Sequence, residues 1–450
     1  MKWMHHRVTK LFQPSIPFIK PNESKAELAS RSYQLLVDNG IIHSSDTGMF
    51  TFLPLGMRVL NKLIQIVEEE MTSINGQRIL LPSLTSTRLW KKSDRFEESK
   101  PELFILEDRH GKEYLLGPTF EEAISKLIAE VGPLFRKRLP LKVYQISSKW
   151  RDEMKPRLGL FRAREFIMKD MYTFDWSTEN ANATYQEVQT AYEKIFGKIG
   201  LPFIRIEADP GLIGGSVSHE YHYEADIGED CVLFCKTCKK YQGNFNAGTC
   251  CASCNQEFQV IKSVEVGHTF SLGTKYSSPL KAVYTSSENM KKPLIMGCYG
   301  LGLTRMIATA TDILSTDVEL RWPLELAPYK VCIISFKETH KINSVSPLAQ
   351  EVHTKLWNSN YDAIIDDRIT ETIGKRLKEA QRVGYPIVIV INKQTISPDF
   401  KVEVHNMYKS SFELVPLQEV IPYLENLTKN ITTDNGEEKI GDEILAESKV

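Results

Sequence analysis

The chain has 450 residues, of which 42% are hydrophobic and 25% are charged, and a chain of this length usually divides into two or three domains. Its longest apolar runs, 331–334 and 387–391, are far shorter than the roughly 20 residues of a membrane-spanning helix, which argues against a transmembrane protein. The formal net charge of −1 excludes a uniformly basic nucleic-acid coat protein, so any contact with RNA must come from local basic surface.

The N-terminal stretch is basic and poor in acids, because its first acid is Glu23. The basic and histidine residues before it are Lys2, His5, His6, Arg7, Lys10 and Lys20. This bias is typical of a mitochondrial presequence and predicts a targeting segment at 1–24, with the mitochondrial matrix as destination. An ordinary N-terminal extension explains the same composition, so both interpretations stay open.

Helical periodicity opens the main part of the chain. Residues 26–39 carry apolar residues at helical spacing and end before Gly40, a typical C-terminal left-handed residue. A second helix is predicted over 55–71, followed by a strand at 77–81 that Pro82 stops.

A long β-hairpin is predicted next. Its strands cover 142–147 and 161–174, and the polar connection 152–159 contains proline, glycine and basic residues, which indicates a loop that faces a ligand. A helix over 181–199 follows, with its apolar residues on one face.

The segment 321–329 contains two prolines and marks a domain boundary. After it, strands and helices alternate, which predicts a small α/β domain with its own sheet. Its predicted elements are a strand at 330–336, a helix at 346–358, a strand at 361–365, a helix at 370–383, a strand at 386–391 and a helix at 416–427. The acidic residues 429–450 are predicted to be a disordered tail.

Two segments carry residues suited to a nucleotide. Arg151 and Glu153 precede the hairpin connection, and Arg162 to Phe166 follow it, so that arginines and an aromatic ring face one site from paired strands. The run 297–305 has three glycines that allow close approach of backbone to a ligand, and it ends at Arg305 at the start of an apolar helix. Either segment alone is weak evidence.

Together these segments resemble the three signature motifs of class II aminoacyl-tRNA synthetases, in their usual order. Residues 56–82 resemble motif 1, residues 143–175 motif 2 and residues 294–314 motif 3. The resemblance implies an α+β catalytic domain over 25–325, built on an antiparallel sheet with flanking helices, that forms a homodimer through motif 1.

Within that class the chain resembles the bacterial-type prolyl-tRNA synthetases, and most of all their animal mitochondrial forms. The phrases that carry the resemblance are 117–122, 159–170, 213–220, 265–268 and 297–300. It implies a C-terminal α/β anticodon-binding domain at 329–428 and a reaction that activates L-proline with ATP and Mg²⁺ and transfers it to tRNA(Pro). The expected partners are L-proline, tRNA(Pro) and a second copy of the chain, with no membrane.

The resemblance also implies roles for individual residues, with Arg151 and Arg305 as the catalytic pair. The residues expected to contact proline are Thr119, Glu121, Arg151, His268, Phe270 and Cys298. Those expected to contact ATP are Arg151, Glu153, Arg162, Phe166, Glu265 and Arg305. Glu121 would pair with the imino nitrogen, Arg151 with the carboxylate and α-phosphate, and Arg305 with the γ-phosphate. Cys298 and His268 are equally explained as structural core residues, and the roles of His219 and Glu220 stay open.

The chain departs from bacterial members of the family in one respect. Those enzymes usually carry a large editing domain between motifs 2 and 3, and the interval from Phe174 to Gly297 is too short to hold it. We therefore expect no editing of mischarged alanine by this chain. A smaller amino acid costs a hydrophobic pocket only about 1–3 kcal/mol of discrimination, so alanine activation should be measurable.

A cysteine-rich insertion at 228–262 lies within that interval. Cys235, Cys238, Cys251 and Cys254 form two Cys-x₂-Cys pairs, a spacing close to that of a zinc ribbon with four thiolates. A structural Zn²⁺ is predicted, and a hinge whose cysteines bind nothing is the alternative.

Two other functions compete with this interpretation. A threonyl or seryl synthetase shares the motifs but not the Thr119-Phe120-Glu121 phrase. A synthetase-like accessory subunit without catalysis typically lacks the motif arginines, whereas Arg151, Arg162 and Arg305 are all present. Basic residues of the C-terminal domain that could contact tRNA phosphates are Arg368, Lys375, Arg376 and Lys378, although a solvated helix face explains them as well.

Overall fold

The computed structural model describes residues 6–14, 30–243, 250–336, 346–393 and 400–437. The helices of these ranges are α1 Arg31–Asp38, α2 Pro54–Ser73, α3 Thr87–Lys92, α4 Phe96–Ser99, α5 Glu121–Val131, α6 Thr178–Ile199, α7 Ser277–Leu280, α8 Leu303–Leu314, α9 Pro347–Asn358, α10 Ile373–Val383 and α11 Val420–Glu437. The strands are β1 Ile42–Asp46, β2 Met49–Phe52, β3 Gln77–Arg78, β4 Leu84–Ser86, β5 Ile105–Glu107, β6 Glu113–Leu116, β7 Leu134–Phe135, β8 Leu141–Trp150, β9 Glu165–Asp175, β10 Ile204–Glu207, β11 Val217–Glu224, β12 Asp230–Cys235, β13 Lys240–Gly243, β14 Gln259–Gly273, β15 Val283–Thr285, β16 Lys291–Pro293, β17 Ile295–Gly302, β18 Val331–Ser335, β19 Ala363–Asp366, β20 Ile387–Ile391, β21 Lys401–Asn406 and β22 Ser411–Pro416. None of the described helices is long and apolar enough to cross a membrane.

A large sheet organises the first domain, with the strand order β10-β11-β14-β17-β9-β8-β3 and with β12 and β13 attached through β14. Its pairs are antiparallel except for β3 with β8. Alternate residues of β9 point to opposite faces: Met171 joins the core beneath α2, α6 and α8, while Tyr172 and Phe174 join the core beneath α5. The sheet is therefore buried on both sides, and the antiparallel class II architecture predicted from the motifs is confirmed.

The predicted motif elements are present with shifted bounds. Helix α2 covers the predicted 55–71, and its Pro54 occupies the first turn, where the missing N–H costs nothing. The strand predicted at 77–81 is wrong beyond Arg78, because after that residue only the N–H of Ile79 still bonds to the backbone of β8. The predicted helix 26–39 is observed from Arg31, and its first residues lie outside the described ranges; Gly40 takes the expected positive φ.

The β8–β9 hairpin is also present with bounds that differ from the predicted ones. Strand β8 runs on to Trp150, and β9 begins at Glu165 rather than at 161, because residues 159–161 form a 3₁₀ turn. The connection is consequently longer than predicted, and it carries Arg151 and Arg162 to the same end of the sheet.

The C-terminal domain has a five-stranded sheet in the order β19-β18-β20-β21-β22, with β18 to β20 parallel and the last two strands antiparallel. The alternating strands and helices predicted before 391 are confirmed. The hairpin of β21 and β22 was not predicted. The final helix begins at Val420 and continues to Glu437, so the predicted start of a disordered tail at 429 is wrong. Residues 438–450 lie outside the described ranges.

Part of the predicted targeting segment packs on the folded chain. The backbone N–H of Ile365 donates to the carbonyl of His6 at 2.9 Å, and Arg7 forms a parallel bridge with the same residue. The side chain and backbone of Thr9 both donate to the carboxylate of Asp367, at 2.6 and 2.9 Å. Gln13 donates to the carbonyl of Asn39 in the first domain at 3.0 Å. Residues 6–14 thus touch both domains, and residues 1–5 and 15–24 lie outside the described ranges.

Candidate active site

A cavity of about 550 Å³ lies between the β8–β9 hairpin, strand β14, the junction of β17 with α8 and the segment from α3 to α4. All but one of the predicted substrate residues line it, namely Thr119, Arg151, Glu153, Arg162, Phe166, Glu265, His268, Phe270, Cys298 and Arg305. Glu121 is the exception. It is fully buried and lies behind Thr119 and Cys298.

One part of the wall carries two arginines. Arg151 directly follows β8, and Arg305 lies in the first turn of α8. Arg305 donates to the carbonyls of Glu265 and Phe161 at 2.9 and 3.1 Å, which fixes its guanidinium without neutralising it. The guanidinium of Arg151 lies 5.3 Å from the ring centre of Phe166, and burial together with the charge of Arg305 lowers its pKa. This part of the cavity favours an anion.

The remaining motif 2 residues are paired with one another. Arg162 contacts Glu153 at 2.8 Å and Glu229 at 3.1 Å, and Arg157 also pairs with Glu229. The hydrogen bond that Arg162 donates to Glu153 raises the pKa of Arg162. Glu229 lies just before β12 and was not predicted as a site residue, because its partners are far away in sequence. Arg162 must exchange these carboxylates for phosphate oxygens if it binds a triphosphate.

A second part of the cavity suits a small cation. The hydroxyl of Thr119 lies 2.7 Å from both carboxylate oxygens of Glu121, and the thiol of Cys298 donates to one of them at 3.0 Å. Burial raises the pKa of Cys298 well above its usual range, so that it stays a neutral donor. Arg95 also contacts Glu121, at 3.2 Å, and it lines the cavity although nothing in its sequence context predicted this.

Strand β14 supplies a third group. His268 stacks on Phe270 with ring centres 3.9 Å apart, and its Nδ1 lies 3.2 Å from Glu265 and 3.7 Å from Glu220. Burial opposes the ionisation of Glu265, yet the hydrogen bond from His268 and the charges of His268 and Arg305 lower its pKa to about 2. The ligand atoms of Glu220, Glu265 and His268 lie within 4.8 Å of one another, a spacing that suits a divalent cation.

Two residues that the sequence left open are separated by the structure. Glu220 lines the cavity, whereas His219 bonds through Nδ1 to the hydroxyl of Tyr185 at 2.8 Å, outside the cavity wall. His219 therefore belongs to the scaffold.

A buried polar network supports the cavity from β8 and β9. Lys149 pairs with Asp170 at 2.7 Å, and Asp170 accepts from Tyr172 at 2.8 Å. Tyr172 in turn accepts from the backbone N–H of Phe120 at 2.8 Å. This network fixes the loop that presents Thr119, and Asp170 itself lines the cavity.

The four predicted metal ligands converge at the end of the β12–β13 hairpin. The sulfur atoms of Cys235 and Cys254 lie 3.4 Å apart, those of Cys238 and Cys251 lie 3.9 Å apart, and all four lie within 4.8 Å of one another. The backbone N–H groups of Ser253 and Cys254 lower the pKa of Cys251 to about 6, whereas hydrogen bonding among the crowded sulfurs raises that of Cys238 to about 12. Four converging sulfurs, one of them favoured as thiolate, fit a tetrahedral Zn²⁺.

The structure places several of the basic residues that were predicted to contact tRNA phosphates in the C-terminal domain. Arg376 is 1% exposed and donates to the backbone carbonyls of Asp366 and Ser335, so its prediction as a phosphate contact is wrong. Arg368 is held by Asp366 and Glu379, and Lys375 is exposed beside Glu371.

An antiparallel sheet whose hairpin and glycine-rich strand present paired arginines to one cavity defines the core of a class II aminoacyl-tRNA synthetase. Comparison of the chain with models of protein families supports the same class. The model of the tRNA synthetase class II core domain (G, H, P, S and T) matches residues 104–314, and that of the anticodon binding domain matches residues 330–427.

Similar proteins identify the family within the class II synthetases. A probable mitochondrial proline–tRNA ligase from Homo sapiens is 41% identical over 409 residues, with 88% of this chain and 86% of the relative covered. A Schizosaccharomyces pombe protein of the same description is 37% identical, with 82% and 88% covered, and the proline–tRNA ligase of Anaplasma marginale is 33% identical, with 92% and 100% covered. The chain belongs to the proline–tRNA ligase family.

Solved structures support the fold. The prolyl-tRNA synthetase of Giardia lamblia in complex with prolyl-adenylate superposes with a TM-score of 0.76 at 19% identity, covering 90% of this chain and 80% of that one. That of Cryptosporidium parvum complexed with halofuginone and AMPPNP gives 0.74 at 16%, covering 90% and 78%.

Proposed function

We propose that this chain activates L-proline with ATP and transfers it to tRNA(Pro). The observation that carries the proposal is the division of one cavity into an anion site at Arg151 and Arg305 and a cation site at Thr119 and Glu121. A zwitterionic amino acid beside a nucleotide triphosphate matches this division. Membership of the proline–tRNA ligase family selects proline among such amino acids.

The reaction follows from these charges. An oxygen of the proline carboxylate attacks the α-phosphorus of ATP, the bond to the β-phosphate oxygen breaks, and pyrophosphate leaves with the electron pair. A ribose hydroxyl of the tRNA then attacks the carbonyl carbon, loses its proton and displaces AMP. Arg151 stabilises charge where the new bond forms and Arg305 holds the terminal phosphate, so catalysis rests on positioning and electrostatics.

Magnesium has a suitable place in this arrangement. Glu265 and Glu220 offer carboxylate oxygens beside the anion site, and hard oxygen ligands suit Mg²⁺. Bound there, the ion would neutralise phosphate charge. The chain's own arginines orient the nucleotide.

The decisive experiment is ATP–pyrophosphate exchange by the purified chain with proline, alanine, threonine and serine in separate assays. Strong exchange with proline and weaker exchange with alanine is expected. Exchange only with threonine or serine would replace the substrate, and no exchange with any amino acid would favour a non-catalytic accessory protein.

We further propose that the chain lacks editing of its own. The alignment with the proline–tRNA ligase of Pelotomaculum thermopropionicum runs over 580 positions yet includes 94% of this chain's 450 residues, so that relative contains a long stretch without counterpart here. Purified chain should therefore leave Ala-tRNA(Pro) intact over the time in which it charges tRNA(Pro). Rapid deacylation would contradict this.

The C-terminal domain is proposed to bind the anticodon loop of tRNA(Pro), supported by its match to the anticodon binding domain.

The homodimer is proposed from an apolar surface beside motif 1. Leu80, Val131 and Phe135 are 76%, 69% and 58% exposed, and they flank residues that pack in the core beneath α5. Light scattering should give twice the chain mass for the wild type and for Val318→Asp, and the monomer mass for Leu80→Asp. A monomeric wild type would refute the dimer.

Mitochondrial targeting is proposed from the basic N-terminus and from relatives described as mitochondrial. Fractionation of cells that express the full chain should place it in the matrix, protected from added protease by the inner membrane.

A further inference from the structure

Arg95 is a buried charged residue to which the motifs assign no role. It lies between α3 and α4 and is 6% exposed. Its Nη1 atom lies 3.2 Å from Oε2 of Glu121 and 3.1 Å from Oε1 of Glu122, so a single nitrogen bridges two fully buried carboxylates. Burial disfavours its charge, but the two carboxylates raise its pKa above the usual range.

Two aromatic rings lie close to the guanidinium of Arg95. Its central carbon lies 4.6 Å from the ring centre of Trp90 and 5.6 Å from that of Tyr276. Glu122 is also fixed, because Ser93 donates to it at 2.8 Å. A cation stacked in this way has little freedom to leave its partners.

The contacts of Glu121 divide between its two oxygens. Cys298 donates to Oε1, Arg95 donates to Oε2, and the hydroxyl of Thr119 reaches both. Arg95 and Cys298 therefore set the plane of the carboxylate from opposite ends. Thr119, Cys298 and Arg95 line the cavity, whereas Glu121 lies behind them.

We propose that Arg95 is a positioning residue for the amino-acid substrate, fixing the carboxylate of Glu121 at the part of the cavity that receives the imino group of proline. The inference rests on the proposed function. A secondary ammonium has only two N–H groups, and its fixed ring prevents it from adjusting their direction. Its binding therefore depends on an acceptor of fixed orientation more than that of a flexible primary amine does.

Steady-state exchange kinetics test the proposal. Arg95→Gln removes the charge and keeps a donor, Arg95→Lys keeps the charge, and Arg88→Gln is the matched control, since Arg88 is an exposed arginine on the adjacent α3. We expect Arg95→Gln to raise the KM for proline at least ~10-fold, the effect of losing about 1.4 kcal/mol of binding. The KM for ATP should change less than about twofold. Arg95→Lys should lie between Arg95→Gln and the wild type, and the control should match the wild type.

Each outcome decides the proposal. An unchanged KM for proline in a folded Arg95→Gln variant refutes it, and so does an equal rise in both KM values, because a merely structural role would damage both subsites. If Arg95→Gln is unfolded at the assay temperature, Arg95→Lys decides alone by the same comparison of KM values. A wild-type chain that does not activate proline overturns the proposed function and this inference with it, whereas an active wild type with insensitive variants overturns only the inference.

Discussion

Among the arginines of the cavity, the state of pairing separates those that are ready for an anion from those that must first be released. Arg162 and Arg157 are held by carboxylates. Arg305 is held by neutral carbonyls, and the guanidinium of Arg151 has no ion pair among the described residues. A half-buried cation that no carboxylate contacts is costly for folding, because the water removed from it is not replaced by an ion pair. Its presence indicates a place shaped for an anionic substrate.

The first prediction concerns this residue. Arg151→Ala should lower the rate of ATP–pyrophosphate exchange with proline at least ~100-fold, the usual scale for losing a donor to a developing charge. The midpoint of thermal unfolding should not fall, because no ion pair is broken. Exchange kinetics and calorimetry on Arg151→Ala, with Arg88→Ala as control, measure the two effects. Near-normal exchange in Arg151→Ala would contradict the assigned site.

A second residue makes stability depend on pH. Asp175, at the end of β9, is fully buried, and burial raises its pKa from 3.8 to about 6 despite a hydrogen bond from Thr184. The folded chain therefore holds this proton more tightly than the unfolded chain. The carboxyl costs no stability below pH 4, and its cost grows as the pH rises through 6, to at most about 3 kcal/mol.

Asp175→Asn should remove that cost while keeping an oxygen for Thr184. Thermal unfolding of variant and wild type should differ at pH 8, with the variant more stable, and should coincide near pH 4. A variant that is less stable at pH 8 would show that ionised Asp175 has a favourable partner that outweighs its burial.

At the scale of helices and strands, periodicity predicted those elements that bury one consistent face. Helices α2 and α6 are examples, whereas the parallel strands β18 and β20 are buried along their whole length and were indicated by short continuous apolar runs. The β21–β22 hairpin was missed because Phe412 and Leu414 of its edge strand are 58% and 52% exposed, so their apolar character reports no core. The length of the motif 2 connection was missed because residues 159–161 are buried and apolar without being a strand.

Some residues of the candidate active site were predicted from the sequence, and others were missed. The residues within the motif phrases converge as expected, because four of the phrases reach strands of one sheet and the phrase 117–122 leads into α5, which packs on that sheet. Arg95 and Glu229 were missed, since their function depends on partners that only the tertiary fold brings near, and single charged residues in sequence usually mark solvated surface. Asp170 belongs to the phrase 159–170, yet its burial against Lys149 could not be inferred from the sequence.

The cysteine hairpin is an element whose stability should depend on metal. The four converging sulfurs can all be thiolates only when a cation is bound between them, so we expect one Zn²⁺ per chain in protein purified without chelator, measured by elemental analysis. Cys251→Ser should lose the metal and unfold at a lower temperature. Cys231→Ser, which changes a cysteine outside the cluster, should retain both properties. Metal-free wild type of full stability would favour the alternative of a hinge without metal.

The cysteine hairpin is also connected to the active site, because its strand β12 pairs with β14, which lines the cavity. β12 pairs with residues 259–263 of β14, and the remainder of β14 carries Glu265, His268 and Phe270. Asp230, the first residue of β12, accepts a hydrogen bond from the backbone N–H of Glu265 at 3.2 Å. Loss of the metal should therefore also raise the KM for ATP in Cys251→Ser.

On the scale of the whole molecule, the two domains are joined by more than the linker between them. Arg58 and Lys62 of α2 both pair with Asp362 of the C-terminal domain, at 2.5 and 2.7 Å. Residues 6–14 add a second connection, bonded to Ile365 and Asp367 on one side and to Asn39 on the other. The orientation of the anticodon-binding domain relative to the cavity thus depends partly on the N-terminal segment.

Deletion of residues 1–14 tests this connection. The loss of its hydrogen bonds and of the apolar contacts of Val8 and Leu11 should lower the midpoint of thermal unfolding by about 2–4 °C. Proline-dependent exchange should stay at the wild-type rate, because none of the described residues 6–14 lines the cavity. The KM for tRNA(Pro) in aminoacylation should rise, because the anticodon-binding domain loses its fixed orientation. Thr9→Val, which removes only the hydrogen bond from the Thr9 hydroxyl to Asp367, should show a smaller change of the same kind. If the deletion leaves both stability and the KM for tRNA unchanged, residues 6–14 are dispensable and their removal with a targeting segment at 1–24 costs the enzyme nothing; if both change, a working enzyme must retain His6 and the residues that follow it.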